Sequence, residues 1–248
     1  MASEENQNII AIDGPSGTGK STTAKTVAKE LGWTYLDTGA MYRAIAWVIE
    51  NEKQGNNQWL VARGKQLNEI LGKTQISFDE NNRVLINGVN RENEIRDPKI
   101  SEVVSRYSSI PVIRAALTAQ QREIGSKQPC VLDGRDIGTA VFPNAKYKFF
   151  LTTDYKTRAV RRLLELQNLG KAGDETLESV EKNLRERDEL DSKREVAPLV
   201  RAKEAIEIDT SHLTIQQQVQ RVLQSVGEAA RCKHSPNTTP RLQCPIQS

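Results

Sequence analysis

The chain is poor in the residues that mark several protein classes. Of 248 residues, 3 are cysteine, 2 are histidine and 5% are aromatic. An odd number of cysteines argues against a disulfide framework. Cys130 lies in the apolar run Cys130-Val131-Leu132 and reads as a buried strand residue, whereas Cys232 and Cys244 fall in a polar tail. With only His234 beside that pair, the spacing matches no zinc pattern. No apolar stretch approaches the roughly 20 residues of a membrane span. The opening Met-Ala-Ser-Glu-Glu-Asn is polar and acidic, unlike a secretory signal. A net charge of +3 is too small to demand a nucleic-acid partner. These absences predict a soluble, cytoplasmic protein with no membrane or nucleic-acid partner.

What is present is a phosphate-binding loop in its expected setting. The apolar run Ile9-Ile10-Ala11-Ile12 reads as a strand, and Gly14-Pro15-Ser16-Gly17-Thr18-Gly19-Lys20-Ser21 follows it, with Thr22 next. Such a loop must turn its backbone N–H groups inward onto a polyphosphate, and glycines permit that path. Lys20 can reach the terminal phosphates, and the Ser21 hydroxyl can bind Mg²⁺. Ala24, Val27, Ala28 and Leu31 recur at helical spacing. The loop therefore opens a helix whose positive end meets the phosphates.

Further along, the pattern alternates. Gly32 is a plausible helix C-cap. Residues 33–36 read as a strand ending in Asp37-Thr38-Gly39, and a helix is expected from Ala40 to about Asn51. Helical periodicity recurs weakly at Leu60, Leu67 and Leu71. Residues 75–79 and 83–87 flank Glu80-Asn81-Asn82 as a β-hairpin, with a third short strand at 89–91. Pro98 to Gln121 reads as mostly helical. Strands are expected at 130–132, 147–151 and 205–209, and helices at 156–169, at 176–189 and around Ile215 to Val226. The chain from Arg231 is polar, holds Pro236, Pro240 and Pro245, and is expected to be disordered. Strands alternating with helices imply a parallel sheet covered on both faces, with ligands beyond the carboxyl ends of its strands. The P-loop, Asp37-Thr38-Gly39 and Asp133-Gly134-Arg135-Asp136 all fall at such ends.

A P-loop alone does not separate a kinase from a GTPase or a motor. The Asn-Lys-x-Asp motif of GTPases is absent, and so is a clean strand of four apolar residues ending in a hydrolytic Asp-Glu pair. The remaining Arg and Asp clusters suit an acceptor that is itself phosphorylated. Two readings compete with this: a kinase of another small molecule, such as shikimate or gluconate, and a P-loop regulatory or RNA-binding protein without transferase activity.

Four blocks carry a resemblance. They are Ile12-Asp13-Gly14-Pro15-Ser16-Gly17 through Lys20-Ser21-Thr22, Tyr35 to Arg43, Asp133 to Thr139 with Val141-Phe142-Pro143, and Arg187-Asp188 through Asp191, Arg194 and Ala197-Pro198-Leu199. Over about residues 8–228 the chain resembles the bacterial cytidylate kinases of the nucleoside monophosphate kinase group. The resemblance implies ATP-dependent phosphorylation of CMP and dCMP by a monomer. It implies an α/β fold: a three-layer P-loop core (1–61, 105–157 and 190–230), an antiparallel CMP-binding insert (62–104) and a short helical lid (158–189), leaving 231–248 as tail.

The resemblance also implies roles. Gly14 to Thr22 hold the ATP phosphates, with Ser21 on Mg²⁺ and Asp13 and Asp133 behind the ion. Arg158, Arg161 and Arg162 are lid candidates, of which at least one closes onto the transferring phosphate. The acceptor phosphate meets Arg43, Arg135 and Arg194. Its ribose meets Arg187 and Asp191, and its cytosine meets Ser105, Arg114 and Asp136. Thr38, where many relatives carry Ser, keeps a hydroxyl near the acceptor. The base chemistry is coherent. Cytosine offers an N4 donor beside N3 and O2 acceptors, so a carboxylate next to a guanidinium reads it; uracil would turn a carbonyl toward Asp136.

Overall fold

The computed structural model describes residues 8–52 and 65–227. The tail from Arg231, the periodicity at Leu60 and residues 62–64 of the expected insert lie outside them.

Four consecutive apolar residues need a sheet covered on both faces. Ile9 to Ile12 are fully buried in β1 (Ile9–Asp13), which sits at the centre of the sheet. Ile9 and Ala11 face one layer, Ile10 and Ile12 the other. Each buried isoleucine contributes about 2 kcal/mol. The neighbours of β1 are β6 (Cys130–Gly134) and β7 (Tyr147–Thr152). Outside these lie β2 (Thr34–Asp37) and β8 (Ile206–Asp209), giving the parallel order β2-β6-β1-β7-β8.

One face is covered by α1 (Lys20–Leu31) and α9 (Ile215–Val226), through Val27, Leu31, Val219 and Val222. The other is covered by α2 (Thr38–Glu52), α3 (Lys65–Lys73), α5 (Pro98–Ser108) and α6 (Pro111–Lys127). The expected α/β class, with its parallel core and small antiparallel unit, is the observed one. The register pairs Asp13 with Gly134 and Asp37 with Asp133, so three loops leave the sheet at one edge.

The sequence misplaced some boundaries, for local reasons. The second helix starts at Thr38 rather than Ala40, because Asp37 Oδ1 accepts the Ala40 amide (2.7 Å) and caps it. The helical stretch from Pro98 breaks in two, because Ile110 precedes Pro111 and is extended. Residues Ile137–Val141 form a π-helical turn that nothing in the sequence announces.

The small sheet joins β3 (Ile76–Phe78), β4 (Val84–Ile86) and β5 (Val89–Asn90), all antiparallel. Its apolar face, Val84 and Ile86, packs on Ala40 and Ala44 together with Ile95 from α4 (Glu92–Ile95). Beyond the main sheet, α7 (Tyr155–Asn168) and α8 (Leu177–Lys193) share a small core of Ala159, Leu166, Val180 and Leu184. A Thr176–Ser179 capping box opens α8. Among the described residues, no helix is long and apolar enough to cross a membrane.

Candidate active site

The donor loop begins where β1 ends. Gly14 has φ +143°, and a Cβ there would collide with the Leu151 carbonyl of β7. Gly19, at φ +89°, turns the chain into α1. The Pro15 carbonyl accepts from Thr18 Oγ1 (3.1 Å) and Lys20 Nζ (2.6 Å). Burial, aided by the Arg135 guanidinium, pulls the Lys20 ammonium down to about 7. Ser21 Oγ donates to Asp133 Oδ2 (2.7 Å), and the Tyr35 hydroxyl donates to Asp133 Oδ1 (2.8 Å). Asp13 is committed elsewhere. Its two oxygens accept the amides of Ile137 (2.8 Å) and Gly138 (2.7 Å), which holds the π-helical turn. Burial raises its carboxyl to about 7 against those two hydrogen bonds.

A cavity of about 280 Å³ runs from this loop toward α5 and the insert. Ser16, Gly17, Gly19, Lys20, Ser21 and Thr22 line its P-loop end. Thr38, Arg43, Ser105, Arg135, Asp136, Arg187, Asp191 and Arg194 line the remainder. Gly14, Pro15 and the buried Thr18, expected at the site, are not among its lining residues. Thr38 Oγ1 donates to the Asp133 carbonyl (2.6 Å).

Arg114 stands behind Asp136. It is buried, donates to Asp136 Oδ2 and to the Ser108 carbonyl (3.1 Å), and lies over the Tyr42 ring. Arg194 Nη2 approaches Asp136 Oδ1 (3.3 Å), and Arg135 Nε donates to Asp191 Oδ2 (2.9 Å). Burial holds the guanidinium pKa values of Arg43, Arg187 and Arg194 below their ordinary range, Arg187 to about 10. Nε of Arg43 and Nε of Arg187 are buried without a hydrogen-bond partner. Unmet buried donors among crowded cations suit an anionic, oxygen-rich ligand.

The three arginines expected to serve a lid occupy different settings. Arg162 lines the cavity and donates to Glu165 Oε2 (2.8 Å). Arg158 is buried, donating to the Ser16 carbonyl (3.0 Å) and to Asp188 Oδ2 (2.6 Å). Arg161 donates to the Thr210 carbonyl (2.7 Å), and the Thr210 hydroxyl donates to the Thr18 carbonyl (2.9 Å). Arg158 and Arg161 therefore brace the P-loop from behind. Lining residues that escaped sequence reasoning as site residues include Asp37, Tyr42, Arg96 and Glu165. Asp37 and Tyr42 do flank Thr38 and Arg43 within one conspicuous block, whereas Arg96 has no such signal.

A P-loop on a parallel sheet, with arginines gathered beyond the loop, defines a P-loop kinase. The comparisons narrow the class. The cytidylate kinase family model matches residues 10–228. The cytidylate kinase of Flavobacterium johnsoniae is 44% identical over 228 residues, covering 90% of this chain and 97% of that one. That of Clostridioides difficile is 44% identical over 220 residues, covering 88% and 98%. A bifunctional pantoate ligase/cytidylate kinase of Prochlorococcus marinus is 45% identical over 215 residues, 86% of this chain but 40% of that longer protein. A gluconokinase structure from Sinorhizobium meliloti aligns at a TM-score of 0.39 with 13% identity, over 92% of this chain and 95% of that one. The chain belongs to the cytidylate kinase family.

Proposed function

We propose that this protein transfers the γ-phosphoryl group of ATP to the phosphate of CMP or dCMP, with Mg²⁺ accompanying the nucleotide. The observation that carries the reading is Asp136, paired with the buried Arg114 behind it, at the wall of a cavity that also gathers Arg43, Arg135, Arg187 and Arg194. Family membership over residues 10–228 supports it.

The chemistry is one of positioning and charge. Amides of the loop from Gly14 to Thr22 hold the donor phosphates, and Lys20 swings from the Pro15 carbonyl onto them. Ser21, with Asp133 behind it, offers hard oxygen donors that fit Mg²⁺. When bound, the ion neutralises charge on the phosphates. Arg43, Arg135 and Arg194 hold the acceptor phosphate in line. Arg187 and Asp191 take the ribose. Asp136 accepts from cytosine N4, while Arg114 and Ser105 complete the base pocket. Each carboxylate oxygen of Asp136 has two lone pairs, so pairing with arginine leaves room for N4. Arg162, exchanging Glu165 for the transferring phosphate, stabilises charge there and excludes water. No side chain has to act as a strong base.

The test is ADP formation with ATP and Mg²⁺, comparing CMP, dCMP, UMP, AMP and no acceptor. Rapid turnover with CMP and dCMP, much slower with UMP and AMP, is expected. ATP binding without acceptor-dependent ADP would overturn the reading and favour a regulatory protein.

A further inference from the structure

Three hydrogen bonds lead from the floor of the acceptor pocket into the antiparallel insert. Arg96, following α4, donates from Nη2 to Asp37 Oδ2 (2.8 Å) and from Nε to Glu92 Oε1 (2.8 Å). Glu92 Oε2 accepts the amide of Val84 (3.0 Å), the first residue of β4. The same Asp37 carboxylate also faces Arg43, at 3.2 and 3.4 Å from its Nη2. Of the two guanidinium groups on Asp37, Arg96 makes the shorter bond and Arg43 the longer ones.

We propose that Arg96 is a positioning residue, fastening the insert to Asp37 so that an acceptor phosphate on Arg43 and the posture of the insert are set together. The inference rests on the reading of Arg43 as a phosphate ligand. A phosphate drawing Arg43 away leaves Asp37 with Arg96 as its guanidinium partner. Asp37 is 5% exposed, and a buried carboxylate needs that compensation. Burial alone would raise its pKa, yet Arg43, Arg96 and the Ala40 amide hold it below the ordinary carboxylate range. The charge is therefore permanent at neutral pH, and the grip of Arg96 tightens as the acceptor binds. The Glu92 link passes that tightening to the hairpin.

Arg96 also lines the cavity, so direct contact with the acceptor is the rival role. Glu92 separates the two, because it reaches the acceptor only through Arg96. Positioning predicts that Glu92→Gln raises KM for CMP about fivefold and leaves KM for ATP unchanged, the scale of one partly exposed ion pair. Arg96→Met should raise KM for CMP about tenfold or more, with kcat falling less. Arg96→Lys should not restore it, since an ammonium cannot fork to both carboxylates. Saturating CMP should slow amide exchange at Val84 in the wild type and lose that effect in Arg96→Met. An unchanged KM for CMP in Glu92→Gln, or equal protection of Val84 in Arg96→Met, would overturn the proposal. A wild type that turns over no CMP would instead sink the acceptor reading, and this proposal with it.

Discussion

Lys20 titrates at about 7 in the unliganded loop, so roughly one molecule in ten carries it charged at pH 8 and nine in ten at pH 6. A triphosphate lying in the loop brings several negative charges within reach and returns the amine to its ammonium form. Donor binding should therefore take up about 0.9 proton at pH 8 and about 0.1 proton at pH 6. Because the pKa is lower in the free state than in the complex, donor affinity falls as pH rises through 7, by up to about tenfold per unit. Calorimetry measures this directly. A non-hydrolysable ATP analogue with Mg²⁺ is titrated in buffers of different ionisation enthalpy at pH 6, 7 and 8, and the slope of heat against buffer enthalpy counts protons. Lys20→Met keeps much of the side-chain volume and has no proton to gain, so the rise between pH 6 and 8 should vanish. A wild-type slope that does not change with pH, or one shared by Lys20→Met, would refute the reasoning.

Other outcomes follow from the same geometry. Asp136→Ala should lower kcat/KM for CMP by about 100-fold while narrowing its advantage over UMP, since uracil would turn a carbonyl toward the carboxylate; a fixed CMP-to-UMP ratio would count against base reading by Asp136. Arg162→Ala should cost about 100-fold in kcat. Arg161→Ala should act mainly on the thermal midpoint, because its contacts run through Thr210 to the back of the P-loop; steady-state kinetics beside melting curves would show whether the two separate. Gly14→Ala should destabilise by about 3 kcal/mol or more, from strained backbone and collision with a backbone carbonyl, and urea unfolding measures it.

Much of this architecture is written in local patterns. The buried run at Ile9, the P-loop and the helical spacing from Ala24 to Leu31 are each a few residues long, so the sequence displays them directly. The small antiparallel sheet is visible because its turns hold Asn82 at φ +59° and Asn87-Gly88 at φ +50° and +77°, residue types that tolerate such conformations. Contacts across long separations are not visible in this way. The π-helical turn depends on Asp13, more than a hundred residues away, and Ile-Gly-Thr-Ala-Val has no helical signature of its own. Arginine spacing on α7 could not say that Arg162 would line the cavity while Arg158 and Arg161 brace the loop. Long side chains leave one helix in several directions, and their partners Ser16, Asp188 and Thr210 come from elsewhere in the chain. Arg96 was missed for the same reason, since its meaning lies in Asp37.

Asp133 takes the Ser21 hydroxyl on one oxygen and the Tyr35 hydroxyl on the other, and its carbonyl takes Thr38. In evolutionary terms this is a joint with little freedom. Changes confined to the insert, or to α5 and α6, should leave this joint undisturbed. A substitution at 133 is felt at once by the donor loop, by β2 and by the helix that carries Thr38 and Arg43. Diversity of acceptor choice should therefore accumulate around the cavity wall, while this residue drifts least, and a recombinant exchanging only the insert should inherit its donor chemistry intact.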